Sequence, residues 1–338
     1  MKKYNTAIIG YGVVGKRRFY YINKNTLFKI KYISDIRFKK NFNKNNIKYY
    51  VNYLELLKNK IDVVFVTLPN YLAAKVTAEC LKRKIHVFCE KPPSKNLIEL
   101  KKVIKIEKKK KSIKLMYGFN HRYHDSVREA KKIINNGKYG KIVFLRGVYG
   151  KSQIVTYKKN DWRSQRKFSG GGILLDQGIH LLDIIRYFFG DFIEFKSFIS
   201  NKYWNHDVED NAFALMRNRA GIIASIHSTA TQWQHKFNLE IVLEKAIIVL
   251  NGILSGSKTY GKETLTIISR AGAKSDDKAK KKKIYYKNDN SWRDEINEFS
   301  NILKNNLKVK NGNSKDAYNV MKMIQKIYKS DIKWNKNI

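Results

Sequence analysis

Cysteine and proline are scarce in this chain: two Cys and three Pro in 338 residues. Two thiols, Cys80 and Cys89, with no metal-type spacing exclude a disulfide framework and a zinc site, and both read as small buried hydrophobes. Apolar runs are short, none approaching the ~18 residues of a membrane span. Met1–Asn5 leads straight into a strand-like run with no room for a signal peptide, so the expectation is a cytoplasmic protein. Acidic residues are also few. Against 69 Lys and Arg stand 28 Asp and Glu, a net charge of +41 that raises nucleic acid as a partner. The lysines, however, are spread through every segment between Asn and Ile. That distribution reads as whole-chain compositional drift, and the expectation is no specific nucleic-acid partner. Of the two lysine runs, Lys108–Lys111 reads as complementing a helix C-terminus and Lys280–Lys283 as a solvated loop after residues 271–275.

What the chain does have begins at its N-terminus. The run Ala7-Ile8-Ile9-Gly10-Tyr11-Gly12-Val13-Val14-Gly15 enters G-x-G-x-x-G directly from a strand. Gly10 permits the tight turn, Gly12 lets a pyrophosphate approach the backbone, and Gly15 lets the helix pack on the strand. The following helix start offers free N–H groups to phosphate. A helix to about Asn23 and a strand Phe28–Ser34 complete a β-α-β unit of about 30 residues ending at Asp35. A carboxylate there accepts from an adenosine ribose and repels a 2′-phosphate, which predicts NAD; Arg37 and Lys39 nearby would neutralise a phosphate and leave NADP as the alternative.

Strands and helices alternate to about residue 119, the signature of a doubly wound parallel sheet. Asp62–Thr67, Ile85–Cys89 and Lys114–Tyr117 read as strands; Tyr71–Arg83 and Leu97–Lys110 read as helices. Beyond, short strands at hairpin-like intervals dominate. The fold class is therefore α/β: a Rossmann-type doubly wound domain over 1–119, then an α+β domain over 120–338 with a large, mostly antiparallel open sheet. A sheet with open faces and edges predicts a homodimer or homotetramer.

A second informative stretch is Gly170-Gly171-Gly172-Ile173-Leu174-Leu175-Asp176-Gln177-Gly178-Ile179-His180-Leu181-Leu182-Asp183. It is apolar nearly all round, hence a buried helix from about Gly172 to Phe189. Asp176, His180 and Asp183 at i, i+4 and i+7 form one polar stripe, which lets His180 meet a carboxylate one turn away and should face a cleft.

These segments, together with Thr67-Leu68-Pro69-Asn70, Glu90-Lys91-Pro92 and Gly118-Phe119-Asn120-His121-Arg122, resemble the glucose-fructose oxidoreductase and inositol dehydrogenase family, Gfo/Idh/MocA, over nearly the whole length. The resemblance implies an NAD(P)-dependent oxidoreductase acting on a secondary hydroxyl of a sugar, polyol or sugar nucleotide. By similarity Lys91, Asp176 and His180 are the catalytic residues. The implied cofactor positions are Gly10, Tyr11, Gly12, Val13, Val14, Gly15, Asp35, Thr67, Leu68, Asn70, Glu90, Lys91 and Asn120. The implied substrate positions are Lys91, Arg122, Trp162, Arg163, Asp176 and His180, with no metal. His180 would take the hydroxyl proton, Asp176 would orient and stabilise its cation, and Lys91 would stabilise charge on the reacting oxygen. Trp162 offers a plane for a sugar ring and Arg163 a guanidinium for an acidic group. Two positions depart from the family pattern: Ala73 stands where many members have His, and Lys84 where Gly is frequent before a strand. Two alternatives on this fold are a non-catalytic NAD(P)-binding regulator and a sugar-modifying enzyme that recycles its NAD.

Overall fold

The computed structural model describes residues 3–151, 161–256, 258–269 and 278–336. Its contacts group the chain into two units: Met1–Asn120 with Phe168–Gly170 and Trp292–Asn319, and His121–Lys167 with Gly171–Ser291 and Val320–Ile338.

The first unit runs β1 (Tyr4–Ile9), α1 (Val13–Asn23), β2 (Phe28–Ser34), β3 (Phe42–Lys44), β4 (Ile47–Tyr50), α2 (Tyr53–Leu56), β5 (Val63–Val66), α3 (Asn70–Lys82), β6 (His86–Glu90), α4 (Leu97–Lys108) and β7 (Leu115–Gly118). Strand order is β3-β4-β2-β1-β5-β6-β7, parallel throughout except between β3 and β4. Without β3 this is the doubly wound order 3-2-1-4-5-6, whose switch point lies between β1 and β5 at their C-terminal ends. All four residues of β5 are buried, as a strand covered on both faces requires. The β3–β4 hairpin was not expected from the sequence. Its Asn45-Asn46 corner takes φ of 51° and 60°, the left-handed pair of a type I′ turn.

The second unit contributes α5 (Asp125–Asn135), β8 (Ile142–Gly150), the first half of a short turn α6 (Arg166–Ser169), α7 (Ile179–Phe189), β9 (Glu194–Ser200), β10 (Asn211–Arg217), β11 (Ile223–Thr229), β12 (Lys236–Leu243), β13 (Ala246–Asn251), β14 (Glu263–Ser269) and β15 (Lys280–Tyr286). These eight strands form one sheet, β15-β14-β13-β12-β8-β11-β10-β9, antiparallel except for β8 with β11. Hydrophobic α7 buries nearly every residue, and Leu181 packs where Gly147 of β8 has no side chain. The lysine run Lys280–Lys283 is the exposed start of edge strand β15, not a loop. An edge strand wet on both faces needs no apolar alternation, so its sequence carries no strand pattern.

The chain ends with α8 (Ser291–Lys304), α9 (Ser314–Ser330) and α10 (Ile332–Lys336). From residue 292, α8 joins the first unit rather than continuing the second: fully buried Phe299 packs against Phe28, Phe65 and Phe88 of β2, β5 and β6. C-terminal Asp331 accepts from the Ile199 N–H at 2.7 Å on edge strand β9. Among the described residues no helix is long and apolar enough to cross a membrane.

Candidate functional site

In the first unit the glycine turn sits at the switch point. Gly10 takes φ +94°, and a Cβ on Gly15 would stand 2.1 Å from the Gly10 carbonyl oxygen, so the helix could not close on the strand with any larger residue. Thr67 locks the turn, its hydroxyl donating to the carbonyl of Gly10, and Leu68 packs beside Gly10. Gly12 is the N-cap of α1 and gives no side-chain cap; Val13 and Val14 behind it are exposed. Uncapped N–H groups at an open helix start, under a backbone with no Cβ, form a cradle for a pyrophosphate.

Asp35 lies at the end of β2 beside this cradle. It accepts from the Tyr11 N–H at 2.6 Å, from the Arg37 N–H at 2.9 Å, and from the Arg37 guanidinium in two bonds of 2.7 Å. Burial pushes its carboxyl up, but the Arg37 and Tyr11 bonds outweigh that and hold it below the ordinary carboxylate range. Arg37 itself is mostly exposed and pairs with Asp35. The residues present therefore fit a dinucleotide: a phosphate cradle, and an ionised ribose acceptor with a mobile-length guanidinium alongside. The Asn70 amide donates to the Ser169 carbonyl at 2.7 Å. Asn120 is buried after β7.

Lys91 is half-buried directly after β6, joined to Pro92 by a cis peptide. Its neighbour Glu90 takes part in a buried triad. Arg18 of α1 donates through Nε to Glu90 at 2.5 Å and through Nη2 to Glu295 of α8 at 2.6 Å, with no exposure of Arg18 or Glu295. The guanidinium also lies over the rings of Phe88 and Trp292, at 4.4 and 4.3 Å. Burial pushes Glu295 up to about 8, against the opposing charge of Arg18 and with that of Glu90.

In the second unit, the glycine triplet is a close-packed entrance to the histidine helix. A Cβ on Gly172 would lie 2.1 Å from the backbone oxygen of Glu209. The buried Glu209 carboxylate accepts from the N–H groups of Gly172 (2.8 Å) and Leu174 (3.0 Å) and from the Tyr328 hydroxyl (2.7 Å). It thus caps the helix start from outside the local sequence. Burial raises its pKa, and these three donors only partly offset the rise.

The expected continuous α-helix from Gly172 is not what forms. Leu174–Gly178 is a π turn, and α7 begins at Ile179. Five-residue closure interrupts the 3.6-residue stripe, and each of the three polar residues meets a neighbour from outside the segment. Asp176 is half-exposed and 3.7 Å from Lys151. Asp183 receives both Nε (2.7 Å) and Nη2 (2.6 Å) of Arg122, with both side chains buried. Arg122, expected to reach substrate, is thereby drawn into the interior, where it anchors α7. His180 stacks on His121, ring centroids 3.7 Å apart and planes 15° from parallel. Trp162 opens a single turn of 3-10 helix capped by Asp161, and Arg163 lies over its ring at 4.3 Å, so one indole face is covered.

Sequence reasoning overlooks His121, Tyr149, Glu209 and the Arg18–Glu295 contact. One signal was present: in so basic a chain, acidic residues inside apolar segments, such as Glu209 and Glu295, need a specific use. The Lys108–Lys111 run does follow a helix end, where Lys108, Lys110 and Lys111 help line a cleft of about 1040 Å³ in the first unit with Ile104, Ile113 and Tyr318. No group of three or more His, Cys, Asp or Glu suited to a metal occurs among the described residues.

Residues 4–119 match the oxidoreductase family with an NAD-binding Rossmann fold, GFO/IDH/MocA, and residues 127–249 match the GFO/IDH/MocA C-terminal domain. The chain is 30% identical over 193 residues to myo-inositol 2-dehydrogenase of Thermotoga maritima, covering 56% of this chain and 55% of that protein. It is 34% identical over 133 residues to levoglucosan dehydrogenase of Pseudarthrobacter phenanthrenivorans, covering 39% and 34%. The aligned part thus spans between a third and about half of these relatives' length. Its fold is similar to that of a solved levoglucosan dehydrogenase in complex with NADH, at a TM-score of 0.84 and 21% identity over 98% of both chains.

Proposed function

The chain belongs to the Gfo/Idh/MocA family of NAD-binding oxidoreductases, and from that premise we propose that it moves a hydride between a secondary hydroxyl of a sugar, polyol or sugar nucleotide and NAD. The observation that carries this reading is the uncapped glycine cradle with ionised Asp35 at its side. Relatives named for dehydrogenation of myo-inositol and levoglucosan support the polyhydroxylated substrate class.

Oxidation of an alcohol removes a hydride from carbon and a proton from oxygen. Bound NAD supplies the two-electron acceptor. The chain supplies the rest. Gly10–Gly15 and the start of α1 hold the pyrophosphate, and Asp35 accepts from the ribose while disfavouring a 2′-phosphate. Its partner Arg37 leaves NADP as the weaker alternative. His180 takes the hydroxyl proton, as an imidazole near neutrality can. Asp176, preceding it on the same helical segment, stabilises the resulting cation, and the Lys91 ammonium donates to the reacting oxygen. Glu209 and the Arg122–Asp183 pair position the helix. We further infer that a second copy covers the outer face of the eight-stranded sheet. Exposed Phe198, Phe213, Leu215 and Ile223 adjoin there on β9, β10 and β11, with Phe213 directly opposite Phe198, an apolar patch a solvated monomer would avoid.

The test is nicotinamide reduction by purified protein over a panel of polyols, free sugars and sugar nucleotides, with mass analysis of retained dinucleotide. In Lys91→Ala and His180→Ala, turnover should fall about 10²–10⁴-fold while NAD affinity stays near normal. Full turnover in both variants would refute the assigned roles.

A further inference from the structure

His121 has been given no role so far, yet it is the residue laid flat against the base. Its Nε2 lies 2.9 Å from the Tyr149 hydroxyl, and both imidazoles are buried. Two imidazolium rings stacked at 3.7 Å would repel strongly in a site shielded from water. Near neutral pH the stack therefore holds no more than one proton, and something must decide which ring receives it.

We propose that His121 is a positioning residue for His180: the Tyr149 hydroxyl donates to Nε2 of His121 and holds that ring neutral, so that His180 alone takes the substrate's proton, against an uncharged aromatic face. The inference rests on His180 acting as the base. A neutral His121 accepting at Nε2 carries its own proton on Nδ1, and its π face then attracts the imidazolium formed beside it. Burial, reinforced by Tyr260, pushes the Tyr149 phenol well above its ordinary range, so it remains a proton donor at any working pH.

The remaining ionisable neighbours favour the same assignment. His124 meets His121 edge-on at 5.4 Å, but its Nδ1 is 2.8 Å from Glu263, which accepts in turn from Ser126. Tyr260, its ring centroid 5.4 Å from that of Tyr149, receives the Gln177 amide and shares the hydrogen-bond cluster of the Tyr149 hydroxyl, and His235 packs on the Tyr260 ring. Asp176 faces Lys151, and Arg122 is neutralised by Asp183. In each of these pairs the carboxylate has a cation or donor of its own. Tyr149 sets its hydroxyl directly against His121 Nε2.

The measurement is a pH titration of the full chain with isotope-labelled histidine, followed by NMR, alongside the pH profile of kcat/KM on whichever panel substrate is turned over. His180→Gln assigns the His180 signal. In the native protein the pair should take up one proton, at His180, between about pH 5 and 8. In Tyr149→Phe, released His121 should compete for it, giving two coupled steps separated by about one unit or more and an acid limb of kcat/KM that steepens from one proton toward two. His121→Phe keeps a flat neutral face and should restore the single-proton limb, while His121→Ala should lower kcat about tenfold with little change in KM. Titrations and acid limbs of Tyr149→Phe that superimpose on the native ones, with His180→Gln inactive, would overturn the inference alone. Full activity in His180→Gln would instead overturn the base assignment on which it rests.

Discussion

Replacing Glu295 with Gln should change how stability depends on pH more than stability itself. Arg18 is held between two carboxylates with its guanidinium fully buried, so the triad would carry a net negative charge in the interior if both acids were ionised. Burial first, and Glu90 second among the raising influences, lift Glu295 from 4.5 to about 8 although Arg18 opposes them. A pKa raised on folding contributes stability that is complete below the unfolded value and lost as pH rises through the folded one. At ~1.4 kcal/mol per unit, the rise sets a ceiling of about 5 kcal/mol across that window. Relaxation and water entry around buried charge reduce the expected figure to about 2–3 kcal/mol. Urea unfolding of both proteins at several values from pH 5 to pH 9 measures it. Near pH 5 the two should differ by about 1 kcal/mol or less, since protonated Glu and Gln are close in shape and polarity; toward pH 8 the native protein should lose stability relative to Glu295→Gln. A difference that stays constant over the whole range would show that Glu295 is ionised in the fold at neutral pH, and the argument would fail.

Three other outcomes are expected. Lys84 sits at φ +61° as the residue after the α3 C-cap, its N–H bonded to the Leu81 carbonyl and the Ile85 N–H to that of Cys80, so Lys84→Gly should stabilise by about 1 kcal/mol in thermal unfolding. Gly172→Ala should cost about 2–4 kcal/mol, because the new methyl meets backbone, not a side chain that can move, and should lower turnover by loosening the Glu209 cap. Phe213→Lys combined with Leu215→Lys should shift the protein to a monomer in sedimentation while its far-ultraviolet spectrum is retained; a native protein that already sediments as a monomer would refute the covered face.

Much of the first unit is legible in the sequence because each strand is a near-continuous apolar run and each helix has a clear period: β2 and the end of α1 fall where the pattern puts them. The β3–β4 hairpin escapes because Asn45-Asn46 lacks the glycine that usually marks a type I′ corner. The glycine turn and Asp35 can be read from spacing alone. The polar stripe cannot, since i, i+4 arithmetic assumes α geometry and the Leu174–Gly178 turn is wider. Nor can the partners of its members: Arg122 reaches Asp183, and Glu209 reaches Gly172 and Leu174, across tens of residues. Such pairings depend on tertiary approach, which periodicity does not encode. The return of α8 to the first unit is a similar case, since an amphipathic helix shows that it must cover something without showing what.

The lysines of β15 also bear on how copies of this chain can add to one another. Strand-to-strand addition needs an unpaired rim that tolerates a neighbour, and here that rim presents four consecutive ammonium groups to any like molecule. At the other rim, Asp331 already occupies the Ile199 amide. Growth by ribbon extension is thus blocked by charge at one end and by the chain's own tail at the other. Association is steered to the broad side of the sheet, where identical patches meet back to back and the assembly closes at a fixed count instead of running on as a fibre.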